Sequence, residues 1–258
     1  MTRNSKSFIK ILLLFLPLMV PMRSFCWNVS PMSNQITHKD KSYFFLTVTA
    51  DESRSSIPIE VYGVKRMLDE KGNETHERVD DLFFIYPSQF LLEPRGMQRV
   101  RVYWKGNIKK LKTEEAYRII IEGTPLEAEV EKLTDKVAVG IKLLKTFVTS
   151  LYVTPKNVKY KLKIVSHEVK QMDGKNSLVL HLHNSGDAHL TFFKPLIKLT
   201  HKRKSYTFDI DKIKDIVGTV VVLPGHHREC IIPLPTDFPT DFPIEAAKVS
   251  MDLKRIKS

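Results

Sequence analysis

The sequence predicts an all-β chain built as two sandwich domains. Three observations carry this. Apolar and polar residues alternate with period two in one short stretch after another, turn signals recur roughly every 8 to 12 residues, and helical periodicity is weak throughout. After the first 26 residues, seven or so such stretches follow one another within about 125 residues, which is the signature of an immunoglobulin-like sandwich. The pattern then restarts and runs for about 100 residues more. With 258 residues, 42% hydrophobic and 27% charged, the composition is that of an ordinary globular protein with length enough for two cores.

Residues 1–26 stand apart. Arg3, Lys6 and Lys10 precede an apolar run over residues 11–20, and Ser24 and Cys26 place small residues at −3 and −1 of a cut before Trp27. This reads as a signal peptide, because a membrane span needs about 20 apolar residues. A retained anchor is one alternative, and lipid attachment at Cys26 another, although Arg23-Ser24-Phe25 does not suit that processing. Export is the expectation, and no membrane insertion is expected of the rest.

Without that segment the chain keeps one cysteine, Cys230, so it has no internal disulfide to draw on. Cys230 lies in an apolar strand pattern and reads as a small buried hydrophobe. The formal charge of +12 includes Arg3, Lys6, Lys10 and Arg23, which leaves +8 beyond residue 26 and favours acidic partners. The basic residues are spread over strands and turns with no base-reading motif, so nucleic acid is not predicted.

Taken in order, 27–32 reads as an edge strand, since Pro31 cannot donate to a ladder. Residues 43–49 are β-branched and aromatic, 57–66 alternate, and 69–74 form a turn. The apolar segment 82–87 and Phe90-Leu91-Leu92 lead through a Pro-and-Gly turn into the alternating 98–104. Residues 115–122 make a further strand, and 123–135 an acidic loop, with at most a turn of helix within 127–136. In the second half, 160–165 and 177–183 alternate around an Asp173-Gly174 hairpin signal, and strands at 190–193, 197–200, 219–223, 229–233 and 247–251 follow.

The stretch 134–155 joins the two halves. Val137, Val139, Ile141 and Leu143 form one apolar row, and the pattern continues through Phe147, Val148, Leu151, Tyr152 and Val153 into Pro155. It reads as an unusually long last strand of the first domain. The expected domains are 27–155 and 156–258, with the boundary near 154–157. So short a linker predicts a fixed angle between them. The residues alone leave open whether the row packs into its own core or serves another purpose.

Several motifs resemble those of the periplasmic pilus and fimbrial assembly chaperones. Residues 85–102 hold a proline, an apolar pair, a turn with Pro94 and Gly96, then Val100-Arg101-Val102. Tyr117-Arg118-Ile119 resembles the strand after it, and Leu151-Tyr152-Val153-Thr154-Pro155 the end of the family's long strand. Asn184-Ser185-Gly186 and Leu223-Pro224-Gly225 resemble its N-x-G and L-P-G turns. The resemblance implies two immunoglobulin-like domains set at an angle, a periplasmic location, pilus subunits and an outer-membrane usher as partners, and no cofactor. It also implies that Val137, Val139, Ile141 and Leu143 are lent to a subunit that lacks a strand of its own, with backbone bonds supplying affinity and side chains supplying register. The best-known branch clamps the subunit's C-terminal carboxylate with an arginine in the first strand and a lysine late in the last. Ser150 stands at the lysine position, the arginine position falls near Ser33, and Thr154 replaces a further arginine. A divergent branch is therefore implied, with Lys142, Lys145 and Ser150 as candidates at the anchor.

No nucleophile, phosphate-loop or His-Glu-x-x-His motif is present, so an enzyme is not predicted. His181 and His183 share a strand face and His226-His227 are adjacent, but the sequence lacks a dense ligand spacing and no metal site is expected. The alternative function is a secreted immunoglobulin-like adhesin or structural surface protein without strand donation. An exposed apolar strand also predicts weak self-association when no subunit is bound.

Overall fold

The computed structural model describes residues 27–51, 56–124, 145–172, 174–192, 196–209 and 220–252. The first part contains β1 (Trp27–Ser30), β2 (Ser33–Thr37), β3 (Tyr43–Ala50), β4 (Ile57–Leu68), β5 (Glu74–Arg78), β6 (Phe83–Tyr86), β7 (Gln89–Leu92), β8 (Met97–Trp104), β9 (Glu115–Gly123) and β10 (Thr146–Thr154). The second contains β11 (Leu162–Met172), β12 (Lys175–Asn184), β13 (Leu190–Phe192), β14 (Leu196–His201), β15 (Lys204–Asp209), β16 (Val220–Val222), β17 (His227–Pro233) and β18 (Lys248–Asp252). The row Val137, Val139, Ile141 and Leu143, together with Lys142 and the acidic loop, lies outside the described residues.

The first sandwich stacks two sheets. One has the order β1-β3-β8-β6, the other β2-β10-β9-β4-β5 with β7 beside the start of β4. Period-two patterning places one row of each strand inward: Leu46 and Val48, Val100 and Val102, Tyr117, Ile119 and Ile121, Leu151 and Val153 form one buried core. The chain changes sheets at Pro31, because β1 pairs with β3 whereas β2 runs parallel to β10. A residue without an N–H suits that crossing, where one ladder ends and another begins. The segment 69–74, expected to be only a turn, ends in the edge strand β5. Its sequence, Glu74-Thr75-His76-Glu77-Arg78, has no apolar alternation, and its pairing with β4 is what makes it a strand.

The second sandwich has its own core, with Leu178, Leu180, Leu182, Ile197, Leu199, Cys230 and Ile232 at its centre. The predicted hairpin closes as expected, with Met172 opposite Lys175 across a two-residue connection. The N-x-G and L-P-G segments meet. Asn184 is fully buried. Its amide nitrogen donates to the carbonyls of Ala188 and Val222, each at 2.9 Å, and its oxygen accepts from the Gly186 N–H at 3.0 Å. A Cβ on Gly186 would stand 2.5 Å from the Lys159 carbonyl, which excludes any side chain. Gly225 adopts φ 75° and donates to the Asn184 carbonyl at 2.8 Å.

The two sandwiches meet through polar contacts around Glu114. Its carboxylate, 1% exposed, accepts from the backbone N–H of His189 at 2.9 Å, from His189 Nδ1, and from Thr154 Oγ1 at 2.7 Å. Gln35 Nε2 donates to the same threonine hydroxyl at 2.8 Å, which fixes the direction of that chain of bonds. The Tyr152 ring stacks flat on His189, centroids 3.7 Å apart. The Glu229 N–H donates to the Glu70 carbonyl at 2.6 Å, and the Glu114 N–H to that of Asp187 at 2.8 Å.

Candidate functional site

β10 is the element around which the candidate site is built. On one side it pairs with β9 from Thr146 to Val153. On the other it pairs with β2 only from Ser150 to Thr154. Among the described residues, the edge of β10 over 146–149 therefore has no neighbouring strand. Val148 points outward there and is exposed. An open edge of this kind is a template for another strand.

Ser150 stands where that open edge ends. Its Cα partner on one side is Ser33 and on the other Arg118. The two serines singled out in the sequence are therefore adjacent. Neither carries charge, but β9 brings a guanidinium to them: Arg118 Nη1 donates to Ser150 Oγ. Arg118 also forms a two-point pair with Glu74, Nε to Oε1 at 2.6 Å and Nη2 to Oε2 at 2.7 Å. Arg66 reaches the same carboxylate at 2.9 Å and donates to the Tyr152 hydroxyl at 2.8 Å. His76 lies 2.7 Å from Glu74. Burial pushes the Glu74 carboxyl upward, but hydrogen bonds from Arg118 and His76 and the charges of Arg66 and Arg118 outweigh it and hold the group down at about 2. Two arginines thus share one carboxylate. The cluster keeps an unbalanced positive charge, partly buried, at the end of the open edge.

Lys145 occupies the opposite end of the edge. Its ammonium donates to the Trp27 carbonyl at 2.9 Å and lies over the Phe147 ring at 4.5 Å. The structure therefore brings Ser150 and Ser33 together and keeps Lys145 apart from them. The residue that sequence reading missed is Arg118. Its signal was a charged side chain at the centre of an apolar strand, Tyr117-Arg118-Ile119-Ile120-Ile121. The carboxylate that orients it is 44 residues away, on a strand the sequence did not reveal.

Elsewhere, His181 pairs with Glu168 at 3.1 Å, and His183 stacks on His227 directly across the β12–β17 ladder. Among the described residues, no group of three or more His, Cys, Asp or Glu side chains is placed to hold a metal.

The whole structure resembles solved fimbrial proteins. It covers 88% of this chain and 98% of a chain from a chaperone–tip adhesin complex described as vital for synergistic activation of CFA/I fimbriae biogenesis, with a TM-score of 0.54 and 12% identity. The class 5 fimbriae chaperone CfaA matches over 88% of this chain and 99% of its own, with a TM-score of 0.52 and 12% identity. The fold is that of the fimbrial chaperones. A third match is to the CsuC–CsuE chaperone–tip adhesion subunit pre-assembly complex from the archaic chaperone-usher Csu pili of Acinetobacter baumannii, over 83% of this chain and 90% of that one, with a TM-score of 0.51 and 13% identity. No family model matches the sequence, and no curated protein matches it. At such identities it is the fold that is shared, two immunoglobulin-like sandwiches in one order.

Proposed function

We propose that this chain is a periplasmic chaperone for pilus or fimbrial subunits, a binding protein rather than a catalyst. The observation that carries the proposal is the half-open edge of β10, ending at Ser150 beside a partly buried guanidinium. A subunit that lacks one strand finds there the backbone donors and acceptors of an unpaired strand. The segment leading into that edge holds Val137, Val139, Ile141 and Leu143, the proposed donated row. Burying four such side chains is worth roughly 6–12 kcal/mol before ordering costs. The likeness to fimbrial chaperone structures over 83–88% of the chain supports the same role.

The anchor for the subunit's C-terminal carboxylate is, in this proposal, Arg118 with the Ser33 and Ser150 hydroxyls, rather than Lys142 or Lys145. Arg118 is held by Glu74 in a fixed plane, with one nitrogen aimed at Ser150. A carboxylate arriving at the end of the edge meets the remaining N–H groups of a preoriented guanidinium beside two hydroxyls. Domains 27–155 and 156–258, export through residues 1–26 and delivery to an outer-membrane usher complete the proposal.

The test is co-expression with the fimbrial-type subunit encoded beside this gene. A soluble one-to-one complex is expected. Ile141→Asp should abolish it, and Arg118→Ala should weaken it by tenfold or more while both domains stay folded. A complex indifferent to Ile141→Asp removes strand donation by this row. Absence of any subunit complex turns the assignment to a secreted immunoglobulin-like adhesin.

A further inference from the structure

The other sheet of the first sandwich, on the face away from its core, carries a second feature. Across β6, β8 and β3 the ladder registers place Phe84, Tyr103 and Tyr43 in one row and Tyr86, Arg101 and Phe45 in the next. Arg99 and Thr47 follow, then Met97 and Thr49. None of β1, β3, β6 or β8 contains an Asp or Glu. Met97 is 72% exposed, Tyr86 68% and Phe84 57%, although each sits on a regular strand rather than at a loop tip.

The arginines of this face are positioned by aromatic rings. The guanidinium of Arg99 lies 3.8 Å from the centre of the Phe45 ring, and that of Arg101 4.3 Å from the centre of Tyr43. A guanidinium held over a ring face keeps N–H groups for a further acceptor. Among the described residues neither is joined to a carboxylate. Lys41 adds a further cation 5.6 Å from the Tyr43 ring. Hydrogen bonds from Lys41 and then Arg101 draw the Tyr43 hydroxyl below the usual tyrosine range.

From this we infer that the outward face of the β1-β3-β8-β6 sheet is a docking surface for the acidic face of a second protein. The chemistry selects the partner class. Tyr, Phe, Met and Arg are the residues enriched in protein–protein interfaces, and preoriented guanidiniums without acids of their own match carboxylates. Membrane-surface binding is characteristic of amphipathic helices that sink an apolar face between lipid headgroups. Here the arginines sit over aromatic rings on a regular β-sheet.

The dimensions add two expectations. Arg99 and Arg101 are two residues apart on one strand, so their Cα atoms are about 6.6 Å apart and the partner's carboxylates should lie at a similar spacing. Four strands about 4.8 Å apart and up to eight residues long give a face of about 300–400 Å², roughly half of what each partner contributes to a stable complex. A contact of that size is of the transient class. It uses the sheet that lacks β10, so it does not rest on strand donation.

The test places a photo-crosslinking phenylalanine analogue at Tyr86 or Tyr103 of the full chain in its own host, and maps each adduct to a peptide by mass spectrometry. The expected result is an adduct with one other protein, within a segment carrying neighbouring Asp or Glu. Purified with that partner, Arg99→Glu/Arg101→Glu should weaken binding at least tenfold, the milder Arg99→Gln/Arg101→Gln less, and an acid-to-lysine change in the partner should restore binding to the charge-reversed variant. Circular dichroism melts and the yield of subunit complex should match the parent for the glutamine variant, which separates docking from folding and from β10. Adducts confined to lipid or to a second copy of this chain, no adduct at all, or a protein adduct insensitive to both variants overturns the inference.

Discussion

Glu114 offers the sharpest test of how the two sandwiches are held. Glu114→Ala removes the acceptor for three donors, the His189 backbone N–H, His189 Nδ1 and the Thr154 hydroxyl. The carboxylate is 1% exposed, so water does not replace it without opening the junction. Hydrogen bonds to a charged group are worth about 1.5–3 kcal/mol each, and removing one member of a buried polar cluster costs about 3–5 kcal/mol in all. That cost falls on the junction, because none of the three donors belongs to either apolar core. The variant should keep both domains folded and loosen them from one another, since the backbone bonds at Glu70 and Asp187 and the Tyr152–His189 stack do not use the carboxylate. Residual dipolar couplings from a weakly aligned sample measure this directly. In the parent, one alignment tensor should fit couplings from both domains, whereas in Glu114→Ala each domain should fit its own tensor and the pair should fail jointly. Glu114→Gln keeps an acceptor but turns an amide donor toward other donors, and should fall between. A single tensor that fits both domains of Glu114→Ala as well as it fits the parent would refute the reasoning.

Three further outcomes follow from the described geometry. The Glu74 carboxyl is held at about 2, below its usual 4.5, so its stabilisation is complete above about pH 4.5 and is lost as pH falls toward 2. Urea denaturation should show a decline of up to about 3 kcal/mol across that window, and the decline should shrink in Glu74→Gln. Asn184→Ala should cost about 2–4 kcal/mol in urea unfolding of the second sandwich, since it strands two buried carbonyls and a glycine N–H; a loss below 1 kcal/mol would show that water fills the place. Burial pushes the Cys230 thiol up to about 11, so an aromatic disulfide reagent at pH 8 should label the folded chain far more slowly than the unfolded one.

The strands were legible where the period was clean. Residues 98–104 alternate without a break and form most of β8, with Val100 and Val102 fully buried. The turns that resembled the N-x-G and L-P-G pattern could be placed but not explained. That required seeing Asn184 bonded to a carbonyl 38 residues away. β5 was illegible because an edge strand with both faces wet needs no apolar row. That omission hid the candidate site. Ser150 was identified by its position before Leu151-Tyr152-Val153, but the charge beside it comes from Arg118, and Arg118 is oriented by Glu74 on the unseen strand. The junction was hidden for a similar reason. Thr154 was noticed as a replacement for an arginine, yet its partners Glu114 and His189 lie in loops whose sequences carry no periodicity.

The partial cover that β2 gives to β10 also sets a length. A strand added along residues 146–149 meets the start of β2 at Ser150 and can go no further in that plane. In the proposed complex the start of β2 would then act as a ruler, measuring an incoming segment from its terminus rather than from any internal feature. Side chains on a strand change face at every residue, so a segment one residue longer or shorter presents its apolar row to solvent. Under that proposal, discrimination between partners would depend on the number of residues between the last apolar side chain and the chain end, a quantity that single insertions in a partner would change without altering its composition.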